Sequence, residues 1–243
     1  MRITRLYVQQ PLVAGSELSL PADAAHHIGV VLRAQVGQPV VLFDGCGTEA
    51  HAVITECTRK QVCVQINSAE TVNRESPLAI HLAIGVSRGE RMEFVLQKST
   101  ELGAASITPL LCERSEVRLA DERWQKKMAQ WQKIMIGACE QSGRTTLPIL
   151  HSPTDLSHCL ANDNSAQRFV LHHRSDNSLS AQQEKPRSVL LVIGPEGGLS
   201  EKEIAAAQAA GCSALTLGPR VLRTETAPLA AISVLQARWG DFQ

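Results

Sequence analysis

Two kinds of spacing divide the chain. Through about residue 70, apolar positions come in short runs with strand character: Ile3 to Val8, Glu17 to Leu20, Pro39 to Phe43, Ala50 to Cys57 and Val62 to Ile66. Gly15, Gly37 and the Asp44-Gly45 pair fall between them, where hairpins need tight bends or positive φ. One helix is predicted to interrupt the strands, from Asp23 as N-cap through Ala24, Ile28, Val31 and Leu32. The pattern predicts a small β-barrel over residues 1–72.

Past the polar stretch Asn73 to Pro77 the spacing changes to strands alternating with helices, predicting a second domain over 73–243. Leu78 to Val86 is a continuous apolar run, as a strand buried on both faces would be. A helix is predicted from Glu90 to Leu102, with Met92, Val95, Leu96, Ser99 and Leu102 on one face and Gly103 as its stop. Ala105 to Leu111 reads as a strand. Trp124, Met128, Trp131, Met135 and Ala138 then share one face of a long helix ending near Gly143, and are predicted to be core. Further strands are expected at Phe169 to His172, Val189 to Ile193 and Ala214 to Leu217, with helices at Ser200 to Ala210 and Ala227 to Trp239. Such alternation predicts an α/β fold on a mostly parallel sheet.

Composition narrows the partners. The 243 residues carry 24 basic and 24 acidic side chains, so no global field draws the chain to a polyanion, and recognition of one would need a local patch. No segment is strongly basic: residues 1–70 hold five basic and six acidic groups, the next eighty hold eleven and nine, and the rest eight and nine. Eight aromatics are too few for a broad stacking platform. There is neither a signal-peptide layout at the amino end nor an apolar run long enough to span a membrane, so a cytoplasmic protein without a membrane partner is expected. The seven cysteines are scattered, without a CxxC. With His158-Cys159 as their one adjacent Cys/His pair and no further ligand cluster, they read as reduced thiols, with no metal site expected.

Three glycine-containing loops could carry chemistry. The string Gly45-Cys46-Gly47-Thr48-Glu49-Ala50 imitates a dinucleotide fingerprint, but a strand-like segment follows it where a helix would have to begin, so it reads as a hairpin turn. In the second, Val189 to Ile193 runs into Gly194-Pro195-Glu196-Gly197-Gly198-Leu199. Ser200 and Glu203 then form a capping-box pattern. Here a strand end meets glycines through which backbone amides could approach a ligand. In the third, Ala214 to Leu217 runs into Gly218-Pro219-Arg220-Val221-Leu222-Arg223-Thr224-Glu225-Thr226-Ala227, in which Thr224 or Thr226 could simply cap the last helix. Two Gly-Pro loops at strand ends would flank one crevice at the carboxyl edge of the sheet. Neither carries the lysine of a phosphate-binding loop.

The two Gly-Pro loops together resemble the RsmE family, whose members methylate N3 of a uridine in small-subunit ribosomal RNA. Agreement extends to Arg88-Gly89-Glu90-Arg91-Met92-Glu93, Gln97-Lys98, Glu101-Leu102-Gly103, Glu113-Arg114-Ser115, and Cys139 through Arg144. It also takes in Arg2-Ile3-Thr4-Arg5, His27-Ile28 and Val31-Leu32-Arg33, so the resemblance runs from end to end.

The resemblance implies an N-terminal PUA-like β-barrel that binds RNA and a C-terminal SPOUT domain, an α/β fold with a trefoil knot that binds S-adenosylmethionine. It also implies a homodimer whose partner is 16S ribosomal RNA in the 30S subunit. The cofactor is expected against Leu171, His172, Ile193, Gly194, Glu196, Gly197, Gly198, Leu217, Gly218, Leu222 and Arg223. RNA is expected at Arg2, Arg5, Arg33, Arg88, Lys98, Arg144 and Arg220. Uracil N3 must lose its proton, and charge then grows on the flanking carbonyl oxygens. Arg223 is expected to meet that charge or a phosphate, with Glu225 or Glu196 supporting the arginine or taking the proton. Two other readings remain open: a SPOUT methyltransferase of a different RNA, and a non-catalytic RNA-binding assembly factor.

Overall fold

The computed structural model describes residues 3–58, 61–117, 119–172 and 184–242. The chain divides into two compact units that are not contiguous in sequence: residues 1–75 with 139–147, and residues 76–138 with 148–243.

The first unit is built on a five-stranded sheet of β1 (Thr4–Tyr7), β2 (Glu17–Ser19), β3 (Pro39–Phe43), β4 (Thr48–Cys57) and β5 (Val62–Thr71), in the order β1-β3-β4-β5-β2. Alternating side chains of these strands, among them Leu6, Val40, Leu42, Ile54, Val64 and Ile66, close over one apolar core. The Asp44–Thr48 segment is a hairpin turn: the Asp44 carboxylate accepts the amides of Cys46 and Thr48 at 2.7 and 2.9 Å, and Gly45 and Gly47 have φ of +78° and +105°. The string that imitates a dinucleotide fingerprint is thus a turn, as the strand-like segment after it predicts. The expected helix differs in detail. Its first part, α1 (Ala22–His26), has Pro21 at the N-cap without a side-chain cap, and Asp23 lies two residues further in, within the first turn. From His27 to Val31 the backbone widens into a π-helical turn.

Residues 139–147 group with this unit through polar contacts that patterning does not reveal. Arg5 pairs with Glu49 and donates to the carbonyl of Gly143 at 3.2 Å. Arg74 grips the same carboxylate with both terminal nitrogens, at 2.7 and 3.3 Å. Arg144 pairs with Glu75, its Nε donating at 3.1 Å, and the Thr145 hydroxyl donates to the carbonyl of Val72 at 2.6 Å.

The second unit carries a six-stranded, wholly parallel sheet, ordered β11-β9-β10-β6-β7-β8. Its strands are β6 (Ala79–Gly85), β7 (Ala104–Leu110), β8 (Ile149–Leu150), β9 (Gln167–Leu171), β10 (Ser188–Ile193) and β11 (Ser213–Leu215). Helices α2 (Glu90–Glu101), α3 (Asp121–Ser142), α4 (Leu156–Asn162), α5 (Glu201–Ala209) and α6 (Thr226–Trp239) connect or follow them. One face of the sheet packs with α2, α3 and α6 around Leu82, Met92, Trp131, Met135, Ile232 and Trp239. The other meets α4 and α5 around Val170, Leu190, Val192, Leu156 and Ala207. The tryptophans of α3 are core as expected: Trp131 is fully buried, and Trp124 packs beside it at 6.1 Å between ring centroids. Strand β8 and helix α4 were not anticipated, being too short to show a period.

Glu49 is the carboxylate most strongly perturbed in the first unit. Burial opposes its ionisation, and hydrogen bonds and charge from Arg74 and Arg5 overcome that and hold it at about 2. A depressed folded pKa gives stability that is complete above the ordinary carboxylate range and lost as pH falls toward about 2. Glu49→Gln is therefore expected to cost about 3 kcal/mol at pH 7, because it leaves two arginines without their anion. The gap from wild type should close progressively below pH 4.5 in urea denaturation series.

Candidate functional site

Parallel strands aim their carboxyl ends, and the loops that follow, at one edge of the sheet. At that edge the ends of β9, β10 and β11 surround a cleft of about 400 Å³. Its lining includes every residue expected to hold the cofactor except Arg223. Arg114, Pro195, Leu199, Thr216, Val221 and Thr224 are among the residues that complete it. Side chains of Leu171, Ile193, Leu217 and Leu222 supply apolar wall, and the glycines expose backbone.

The loop after β10 exists because backbone packs on backbone. A Cβ on Gly85, the last residue of β6, would collide with the nitrogen of Pro195; one on Gly194 would stand 2.6 Å from the amide nitrogen of Leu199. The Gly198 amide closes the turn onto the carbonyl of Pro195 at 2.8 Å, and Gly198 has φ +70°. Ser200 starts α5 with a complete capping box: Glu203 accepts from the Ser200 amide at 2.7 Å, and its own amide donates to the Ser200 hydroxyl at 3.2 Å.

Two neighbouring loops hold this one. After β7, Arg114 donates to the carbonyls of Gly197 and Leu199 at 3.1 and 3.3 Å, and the Glu113 amide reaches the second oxygen of Glu203 at 3.0 Å. After β6, the Glu196 carboxylate accepts from the Arg88 amide at 3.3 Å and from Arg91 at 3.2 Å. Partial burial works against ionisation of Glu196, but its own amide, the Arg88 amide and Arg91 together hold it below the usual carboxylate range. Glu196 thus supports Arg91 rather than Arg223. Arg114 and Arg91 are absent from the residues that the sequence singles out, although both stand in stretches that carry the resemblance. Their position just past the carboxyl ends of parallel strands was the signal that could have found them.

The loop after β11 presents its charges differently. Arg220 is exposed and lines the cleft; Arg223 and Glu225 stand on the same loop outside that lining. None of the three side chains has a hydrogen bond or ion pair among the described residues. The carbonyl of Arg223 accepts the amides of Thr226 and Ala227, both at 2.9 Å. Glu225, not a threonine, occupies the N-cap of α6, and its side chain makes no capping hydrogen bond. Opposite, His172 donates its amide to Leu215 at 3.1 Å, and the Thr216 hydroxyl donates back to the His172 carbonyl at 3.0 Å.

The nominated RNA contacts separate into groups. Arg2 lies outside the described residues. Arg5 and Arg144 are corrections: both are largely buried, with their charge committed to Glu49 and Glu75, and a phosphate would have to break those pairs. Lys98 is bound to Glu101 along α2 at 2.8 Å. Arg88 pairs with Glu116 at 2.9 Å, but both side chains are more than half exposed, so water and salt compete readily. Arg33 and Arg220 are exposed without partners among the described residues.

A second cavity of about 770 Å³ opens near the amino ends of the strands, lined by His81, Ser106, His151, His158 and Asp163 among others. Burial, with His151 adding to it and Asp163 opposing it, holds His81 below the usual histidine range. Among the described residues no group of His, Cys, Asp or Glu could hold a metal ion, and no helix is long and apolar enough to cross a membrane.

Comparison with known proteins finds likeness along the whole chain. Residues 74–236 match the model of an RNA methyltransferase domain, and residues 20–67 that of an RNA methyltransferase PUA domain. A Legionella pneumophila protein solved in complex with the bound cofactor SAM is 46% identical with a TM-score of 0.97, over 100% of both chains. A ribosomal RNA small subunit methyltransferase E from Neisseria gonorrhoeae, bound to S-adenosyl methionine, is 38% identical with a TM-score of 0.93, again over 100% of both. The protein of that same description from Buchnera aphidicola (subsp. Acyrthosiphon pisum) is 32% identical over 100% of this chain and 96% of its own.

The close approach of β6 to the Gly194 loop yields a stability test. Gly85→Ala must displace backbone and is expected to cost about 2 kcal/mol. Gly218→Ala, with open space around it but φ +87°, should cost only about 1 kcal/mol from strain. A Gly85→Ala protein as stable as wild type in urea would contradict this packing.

Proposed function

The chain belongs to the ribosomal RNA small subunit methyltransferase E family, and on that premise we propose that it methylates N3 of a uridine in 16S ribosomal RNA, within the assembled 30S subunit, using S-adenosylmethionine. The observation that carries the reading is the cleft at the carboxyl edge of the parallel sheet, walled by the Gly194–Leu199 and Thr216–Thr224 loops. S-adenosylmethionine supplies an activated methyl group on a sulfonium.

The cleft suits that molecule. Leu171, Ile193, Leu217 and Leu222 offer flat apolar wall for an adenine, and backbone amides and carbonyls of the glycine loops can read its edge. Gly218 leaves open space where a side chain would otherwise stand. Because the Gly194–Leu199 loop is clamped by Arg114, Glu196 and Glu203, little ordering of that wall should remain to be done on binding.

Transfer to a ring nitrogen needs the nitrogen, the methyl carbon and the sulfur nearly in line, so positioning carries much of the rate. Arg223 is the cation for the charge that develops on the uracil carbonyls, and Glu225 the carboxylate that steadies it or accepts the N3 proton. Their lack of partners among the described residues leaves both available. Glu196 is better suited to holding its loop, since its oxygen is already shared by the Arg88 amide and Arg91.

In this reading the protein is a cytoplasmic homodimer with an RNA-binding PUA-like domain and a knotted SPOUT domain. The sheet order supports the knot: the chain leaves β10 and returns as β11 on the far side of β9, the kind of non-sequential path that a knot requires. With Arg5, Arg74 and Arg144 committed to carboxylates, recognition of RNA by a chain of zero net charge falls to a few exposed cations such as Arg33 and Arg220.

Two measurements test this. Gly197→Val, whose first added carbon would already lie 3.1 Å from the Arg114 Cβ, should weaken S-adenosylmethionine binding at least about tenfold by calorimetry. Unchanged affinity would remove the placement. Arg223→Ala and Glu225→Gln should bind it normally yet lose about 100-fold in kcat for methyl transfer to 30S subunits. Near wild-type turnover in both would end their assignment.

A further inference from the structure

Exposed apolar side chains are scattered singly over most of the chain, but four of them crowd into seven residues of the first unit. Val30, Val31, Leu32 and Val36 are 44, 58, 45 and 61% exposed. They project from the π-helical turn His27–Val31 and the residues after it. A cluster of this kind, rimmed by polar groups, marks an interaction surface more often than chance exposure does.

The backbone there is built, not frayed. Ile28, fully buried, anchors the turn in the core. The Leu32 amide donates five residues back to His27 at 2.9 Å, and the Ala34 amide reaches Ile28 at 3.0 Å. Gly29 lets the turn lie against β4 and β5, since a Cβ there would already stand 3.3 Å from the Thr58 carbonyl. Arg33 follows with φ +51°, and it is the only residue other than glycine with positive φ among those described. Ile28 and Gly29 account for where the turn packs, and widened helical turns and strained non-glycine residues are found more often than elsewhere at functional sites.

Arg33 also indicates what the surface meets. It is exposed and without a partner among the described residues, and His26 and His27 are exposed on the same segment. A second copy of this chain is a poor occupant: a two-fold contact through the patch would bring Arg33 toward its own copy and bury like charges. RNA complements it, with phosphates for the guanidinium and base faces for the apolar side chains. Paired bases in a helix keep those faces stacked, so the chemistry selects unpaired ones.

We infer that residues 30–36 form an apolar finger that packs against unpaired bases of the substrate RNA, with Arg33 holding an adjacent phosphate. This rests on the methyltransferase reading above, and the test separates the two. Methyl transfer to 30S subunits is measured for wild type, for the Val31→Ser/Leu32→Ser double variant and for Arg33→Gly, with melting temperature and sedimentation in parallel. The double variant should raise KM for the subunit about tenfold and Arg33→Gly about threefold, at unchanged kcat and unchanged KM for S-adenosylmethionine. Neither should melt below wild type, since serine removes exposed apolar surface and glycine relieves the positive φ. An active wild type with subunit KM unchanged in both variants would overturn the finger alone. So would a shift from dimer to monomer in the double variant at unchanged subunit KM, which would make the patch a contact between copies. A wild type that transfers no methyl group to the subunit would overturn the methyltransferase reading and the finger with it.

Discussion

Backbone crowding at the carboxyl edge of the parallel sheet governs the site. The chain after β10 turns so tightly on itself and against the end of β6 that neither Gly194 nor Gly85 can carry even a methyl group without moving main chain. That crowding shapes the cleft wall from amides and carbonyls instead of side chains. It also explains why the polar side chains nearby, Arg114, Glu196 and Glu203, bond to the loop's own backbone and to its neighbours. They hold a wall whose surface is already made.

The same economy runs through the charges. Glu49 pairs with Arg5 and Arg74, and Glu75 with Arg144, so three cations are committed to the first unit, among them Arg5 and Arg144, which a sequence reading offers to RNA. Arg33, Arg220 and Arg223 stand apart from them, exposed and unpaired among the described residues. Recognition of a polyanion by a chain of zero net charge then depends on where a few guanidinium groups stand, not on how many there are.

Much of the fold was legible because its strands are buried and its long helices strongly periodic. Pro39 to Phe43 was read with its observed ends, and the α3 face from Trp124 to Ala138 was assigned to the core that it occupies. Helix α4 and strand β8 escaped because seven and two residues cannot display a period. The widening of α1 into a π-helical turn escaped for another reason: it depends on Ile28 and Gly29 fitting β4 and β5, a tertiary demand that spacing does not record. The glycine loops announced a cleft, but the resemblance carried the choice of lining residues. The fates of Arg5 and Arg144 could not be read at all, because the carboxylates that claim them lie 44 and 69 positions away. Arg114 and Arg91 were visible as charges just after strands, and that place alone could have nominated them.

The central claim is that the cleft formed by the ends of β9, β10 and β11 receives the methyl donor. Amide hydrogen exchange of the full-length protein with and without S-adenosylmethionine tests it most directly. The account predicts new protection concentrated in residues 193–199 and 215–222, with none around His81, His151 and His158. Protection at the histidine-lined cavity instead, or no change at either Gly-Pro loop under saturating S-adenosylmethionine, would contradict it.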